Sequence, residues 1–197
     1  MTGIVVLGLS NWAHHSWLPK GRRARTERAQ ARANADLLAR FPLLTGAGTV
    51  SPLPPLPPFA TLPRPACAKV LRVAAALAHA RALRRVVGAA GQQRFAIRIA
   101  PNVLHAIQRD ARGKQTDVDL GASLDLFDRL DMTAAGLRVA QHALHELELR
   151  VLLELRLPRV VAQRAARFGV GDMSVKTARD LLAAAHALSR SQRSESC

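Results

Sequence analysis

Cysteine is nearly missing from this 197-residue chain, and so are aromatic side chains, at 4%. The two cysteines, Cys67 inside a helical pattern and Cys197 at the end, give neither a disulfide framework nor metal-ligand spacing, so a reducing compartment is the simpler inference. A long apolar run is missing too. Ile4 to Leu9 is too short to cross a bilayer, follows no basic stretch and precedes no small-residue cleavage pattern. It reads as a strand or a helix turn docked on the core of a cytoplasmic chain, with no membrane insertion. The glycines of GAGT (Gly46, Gly48) and GVGD (Gly169, Gly171) lack the contexts that cradle phosphates, no serine sits in a GxSxG elbow, and no carboxylate pair stands out. An enzyme is therefore disfavoured, and no catalytic, cofactor-binding or metal-binding residue is assigned.

Acidic residues are missing from one long segment. Residues 37–109 hold ten basic groups and no acidic one, against six and two in residues 1–36 and thirteen and twelve in residues 110–197. The formal charge of +15 therefore lies in the first half. Arginine supplies most of it, which suits an acidic protein surface, nucleic acid or anionic headgroups; a GC-rich composition of Ala, Arg and Leu accounts for part of the same excess.

What is present centres on Pro65 to Ile99, an alanine-rich apolar stretch with Lys69, Arg72, Arg81, Arg84, Arg85, Arg94 and Arg98 along its basic edge. Val70, Val73, Leu77 and Ala80 share one helical face, but the next step along that face lands on Arg84, which predicts two helices offset near His79.

Around it the chain divides into four parts: an aromatic and basic arm with a helix (1–41), a proline-rich connector (42–65), a helical core domain (66–190) and a frayed tail (191–197). NWAHHSWLP holds both tryptophans, read as capping the core or, alternatively, as a partner-binding hot spot. Arg22 to Phe41 is a solvated helix docked by Leu37, Leu38 and Phe41. The connector has eight of the eleven prolines, which favours polyproline II and excludes regular helix, with PxxP spacing at Pro52/Pro55 and Pro54/Pro57. Further on, NVLHAIQRDAR is a short helix after Pro101. Ser123 and Thr133 are candidate N-caps, and Leu137, Ala140, Leu144, Leu147 and Val151 form the seam of a longer helix. Leu149 to Leu157 alternates apolar with charged residues and reads as either helix or strand. A last helix runs from its cap Ser174 to about Ser189. The fold class is mainly α, with room for one short strand pair.

Two constellations carry a chemical reading. His142 and His145, three apart with Glu146 and Glu148 nearby, fall short of a zinc site, with only scattered His105 and His186 to complete it. In AQRAARFGVGDMSVKTARDLL, residues Ala165, Gly169, Val175, Phe168, Val170 and Ala178 fit a helix-turn-helix. Arg164 stands where an apolar residue is wanted, and Asp172 and Asp180 would repel phosphates, leaving Lys176 and Thr177 as groove-facing donors.

Three further stretches, taken in succession, resemble the SctK/YscK group of type III secretion accessory proteins, including the Hrp branch. HHSWLP is similar to the family's His-Pro-Ser-Trp-Leu element through His14, Ser16, Trp17 and Leu18, with His15 where proline is usual. AAALAHARALRRVV, Ala74 to Val87, is similar to its alanine- and leucine-rich helix with an Ala-Leu-Arg-Arg-Val turn. LELRLP, Leu153 to Pro158, is similar to its Leu-Arg-Leu-Pro ending, preceded by Ala135, Gly136 and Leu137. The resemblance implies a non-enzymatic cytoplasmic adaptor of the sorting platform, peripheral to the inner membrane. Such a protein links the cytoplasmic domain of the SctD ring protein to the pod protein SctQ, and indirectly to SctL and the SctN ATPase. On that reading Arg81, Arg84 and Arg85 supply charge-assisted contacts, and Trp12 and Trp17, with His14 and Leu18 beside them, anchor an interface. The alternative is a basic, helix-turn-helix-like regulator that binds nucleic acid, the disfavoured partner here because the C-terminal charge is balanced.

Overall fold

The computed structural model describes residues 8–19, 25–46, 55–121 and 123–194. In chain order its helices are α1 (Leu9–Trp12), α2 (Glu27–Arg40), α3 (Leu43–Gly46), α4 (Pro58–Thr61), α5 (Arg64–Ala78), α6 (Ala80–Arg84), α7 (Ala89–Ile99), α8 (Pro101–Arg109), α9 (Arg129–Ala143), α10 (Leu147–Arg156), α11 (Arg159–Ala165) and α12 (Val175–Ser194). Single 3-10 turns lie at His15–Trp17, Ala111–Lys114 and Leu124–Leu126. The fold is mainly α, and no strand occurs among the described residues. Ile4 to Val6, Arg22, Gly48, Pro52, Pro54 and Cys197, on which sequence expectations fell, lie outside them.

Every residue of α5 from Val70 to Ala78 is buried, so this helix must be enclosed on all sides. α9 and α12 enclose it, with α4 and α7 against its remaining flanks. Small side chains allow the close approach: Ala74, Ala75 and Ala76 on α5 face neighbours that include Ala134, Ala135 and Ala140 on α9 and Ala178 and Ala185 on α12, in one continuous cluster. Arg72 departs from the expected basic edge. It lies inside, with Nε donating to the Arg98 carbonyl at 3.0 Å, and burial followed by the charge of Arg129 lowers its pKa to about 10.

The offset falls at His79 as the spacing predicts, since α5 ends at Ala78 and α6 starts at Ala80. The second helix then breaks again at residues 85–88. Asp117 fixes the first of these offsets, at the start of α6, by accepting from the Arg81 and Ala82 backbone N–H groups at 2.8 and 2.9 Å.

Other boundaries differ from the sequence expectation for local reasons. The proline connector was expected to exclude helix, yet Pro58 opens the turn of α4 and Pro65 sits in the first turn of α5, where a missing N–H costs no hydrogen bond. The seam helix starts earlier and stops earlier. Asp128 and Asp131 form a reciprocal capping box at 2.7 and 3.1 Å, whereas the Thr133 hydroxyl donates to the Arg129 carbonyl, so Thr133 is no cap. Residues 144–146 interrupt the seam and leave Leu147 exposed. Ser123 precedes a 3-10 turn without a capping bond, while Ser174 does cap α12, its Oγ accepting from Thr177 N at 3.0 Å.

The strand alternative for Leu149 to Leu157 is corrected to helix α10. Its alternation is misleading because α10 is buried on two sides. Leu149, Leu152 and Leu155 enter one apolar cluster and Leu153 and Leu157 the other. The first of these clusters holds the N-terminal arm to the body, through Leu9, Ala13, Trp17 and Leu18, with Ala33 and Leu37 of α2 and Leu44 of α3.

Candidate interaction sites

The tryptophans are spent inside the molecule. Trp17 is 7% exposed, its indole N–H donates to the Leu157 carbonyl at 2.8 Å, and its ring meets Phe41 edge-on at 5.7 Å. Leu18 is buried beside it. Trp12 is half-buried; its N–H donates to the Leu152 carbonyl at 2.7 Å, and the Arg156 guanidinium lies 4.2 Å above its ring. His14 is half-buried, its Nδ1 accepting from the Ser16 backbone N–H at 3.2 Å. As partner contacts, Trp17 and Leu18 are therefore withdrawn, since neither reaches the surface, and only part of Trp12 and His14 is accessible. These residues cap a core instead.

The three arginines separate. Arg81 and Arg85 are exposed, whereas Arg84 is half-buried with Nε donating to the Gln108 carbonyl at 2.9 Å and its side chain lying against Gly113. Helices α6, α7 and α8 and the Ala111–Lys114 turn pack on one another as a layer. That layer adds exposed Arg94, Arg109 and Lys114 to Arg81 and Arg85. Its acid Asp110 is already paired with Arg112 at 2.6 Å. Among the described residues no ion pair engages Arg81, Arg85, Arg94, Arg109 or Lys114. Two apolar side chains stand out in the same layer, Val87 at 81% and Ile97 at 72% exposure. Exposed cations and exposed apolar side chains carried by one packed layer suit contact with an acidic partner. Arg109 and Lys114 were not legible as part of it, because only the tertiary packing of α8 on α6 brings them there.

The remaining constellations stay apart or are internally engaged. His142 Nε2–H donates to the Met173 carbonyl at 2.7 Å, and His145 lies in the break after α9 instead of on its face. No group of three or more His, Cys, Asp or Glu side chains with metal-holding geometry occurs among the described residues. Residues 166–174 connect α11 to α12, a longer link than the three- or four-residue turn of a helix-turn-helix. Arg164 reaches the α9 cap, 2.8 Å from Asp128 and 2.9 Å from Asp131, and Lys176 pairs with Asp180 at 2.9 Å. Burial pushes the Cys67 thiol up to about 11 against the opposing pull of Arg156, so it stays protonated at neutral pH. Among the described residues no helix is long and apolar enough to cross a membrane. Comparison with known proteins returns no matching family model, no matching characterised protein and no matching solved structure.

Proposed function

We propose that this chain is a non-enzymatic adaptor of a bacterial type III secretion sorting platform. It works on the cytoplasmic side of the inner membrane and joins the cytoplasmic domain of an SctD-like ring protein to an SctQ-like pod protein, and through that to SctL and the SctN ATPase. The observation that carries this reading is a contact between two of the stretches on which the resemblance rests. HHSWLP and LELRLP are far apart in sequence, yet His14 N donates to the Leu155 carbonyl at 2.7 Å and Trp17 Nε1 to the Leu157 carbonyl at 2.8 Å. Just beyond, Arg159 N donates to Ser16 Oγ at 2.8 Å. Matches produced by chance have no reason to meet; residues that hold an arm to a body do.

The third stretch contributes the surface. AAALAHARALRRVV runs from the enclosed helix α5 into the basic layer, which is where an acidic face of the ring or pod protein would be met. Nucleic acid is the weaker partner for the α11–α12 pair, because exposed Asp172 and Asp180 lie there and Lys176 is already paired.

The test is capture by immobilised full-length protein of SctQ, of the SctD cytoplasmic domain and of a mixed-sequence duplex, at low and moderate salt. The expected outcome is salt-resistant retention of SctQ or SctD, lost when Arg81, Arg85 and Arg94 are changed to Glu together. Salt-resistant, sequence-selective DNA retention with neither protein held would overturn the reading.

A further inference from the structure

We infer that the outward face of α12 is a docking surface for a helix of a partner protein, one with large apolar side chains along a stripe and carboxylates along one edge of that stripe. Ala183 and Ala187, one turn apart and both exposed, line two cavities at once, one of about 860 Å³ and one of about 460 Å³. They form a low ridge with a groove on either side. The apolar lining of the first groove includes Leu77, Val118 and Leu181; that of the second includes Phe59, Leu144 and Leu182, with Pro57 and Pro58 beside them. The inference does not rest on the adaptor reading.

Two grooves parted only by methyl groups select an elongated occupant. A small molecule fills one groove, whereas a helix laid on the alanine ridge sends side chains from its neighbouring turns into both, and the small ridge lets its axis come close. An extended peptide finds nothing to pair with here, because the interior N–H and C=O groups of α12 are already bonded within the helix.

Charge assigns the acidic edge. The second groove is lined by Arg179, Arg190, His145 and His186 against the single carboxylate of Glu146. Arg179 donates Nε to the Ala143 carbonyl at 3.1 Å, which holds its guanidinium at the groove. Both arginines are exposed, and among the described residues no ion pair engages either. On α12 they are separated by about 16 Å along the axis, so they spread positive charge over several turns of an occupant. The acids of the first groove are already answered: Asp110 by Arg112 at 2.6 Å, Asp180 by Lys176 at 2.9 Å, and Asp117 by the Arg81 and Ala82 N–H groups. Only one edge of the occupant therefore needs carboxylates.

The experiment uses the full chain at moderate salt and follows the fluorescence anisotropy of labelled synthetic peptides of about four helical turns. The first is alanine-based, with leucines spaced three and four apart and glutamates along one edge of the leucine stripe. The second has lysine for every glutamate, and the third keeps the composition of the first with its leucines moved out of helical spacing. The expected result is saturable binding of the first peptide, weakened about tenfold or more in each of the others. Ala183→Gln combined with Ala187→Gln raises the ridge at two exposed positions, keeps the charge and retains good helix formers. It is expected to weaken the first peptide by about tenfold or more. Arg190→Glu is expected to narrow the preference for glutamate over lysine. The third peptide binding as tightly as the first would reduce the effect to overall charge and overturn the surface, as would an unchanged affinity in the double alanine variant or no saturable binding by the natural chain. Sedimentation of the same proteins tests the remaining occupant: a dimer of the natural chain that the double variant dissociates would assign the face to a second copy and overturn the acid-edged partner.

Discussion

Gly136 of α9 crosses α5 directly against Leu71, so closely that a Cβ on Gly136 would stand 1.9 Å from the Leu71 carbonyl oxygen and 2.4 Å from its carbon. The obstacle is backbone, which no side-chain rotation removes. Gly136→Ala is therefore expected to force the central helices apart and cost about 3 kcal/mol or more, the upper end of overpacking. Equilibrium denaturation checks this; a loss under about 1 kcal/mol would mean that the crossing relaxes easily.

Ala100 predicts the opposite sign. It joins α7 to α8 with φ 84° and ψ 146°, a region occupied almost solely by glycine. Pro101 opens α8 immediately after it, and the Leu104 N–H is bonded to the Ala100 carbonyl at 3.0 Å, so the strained residue is pinned from both sides. Ala100→Gly is expected to stabilise the chain by about 1 kcal/mol, the strain relieved exceeding the added freedom of the unfolded chain. A thermal midpoint lowered by the substitution would contradict the account.

These two positions show what the sequence carried and what it did not. The enclosed α5 and the offset at His79 were legible because apolar spacing and the arrival of Arg84 on the face are local facts. The α10 helix was not, since burial of Leu149, Leu152 and Leu155 on one side and Leu153 and Leu157 on the other erases single-face periodicity. Capping failed for a related reason. Thr133 and Asp128 are both acceptable N-caps by type, and the choice fell to Asp128, whose carboxylate with that of Asp131 also receives Arg164 from α11. On the site side, Arg81 and Arg85 could be placed from the charge run, while Arg72 and Arg156 look identical in sequence and lie inside. Burial of an arginine is decided by tertiary carbonyls, those of Arg98 and Leu62, and leaves no local mark.

Trp17 and Trp12 are expected to respond unequally to loss of the indole N–H. Trp17→Phe keeps most of the ring but leaves the buried Leu157 carbonyl without this donor, at a cost of about 1–3 kcal/mol. Trp12→Phe removes a bond that is partly reached by solvent and weakens the stacking of Arg156, for which about 1 kcal/mol is expected. Urea denaturation of both variants tests the order. Equal losses would mean that Trp17 is not the tighter joint of arm and body.

Acid stability turns on His79 and Glu154, with opposite signs. Burial lowers the His79 pKa below its ordinary 6.5, against the weaker raising pull of Asp117 and Asp119, and the ring lies edge-on to Phe127 at 5.8 Å. The folded chain thus holds His79 neutral while the unfolded chain takes up the proton at the ordinary value. Its contribution is fully present above that value and is lost as pH falls through it, with a limiting slope of about 1.4 kcal/mol per pH unit. Glu154 works the other way. Burial raises its pKa against the lowering effect of the Gln141 bond at 3.2 Å, so the folded chain binds that proton more readily and the penalty of the buried charge disappears on acidification. Glu154→Gln is accordingly expected to stabilise the chain at pH 7.5 and to lose that advantage at pH 4. His79→Gln is expected to flatten the fall in stability between pH 7.5 and 5.5. Urea unfolding at these pH values separates the two groups; an unchanged slope in His79→Gln would show that His79 is not the residue that senses mild acid.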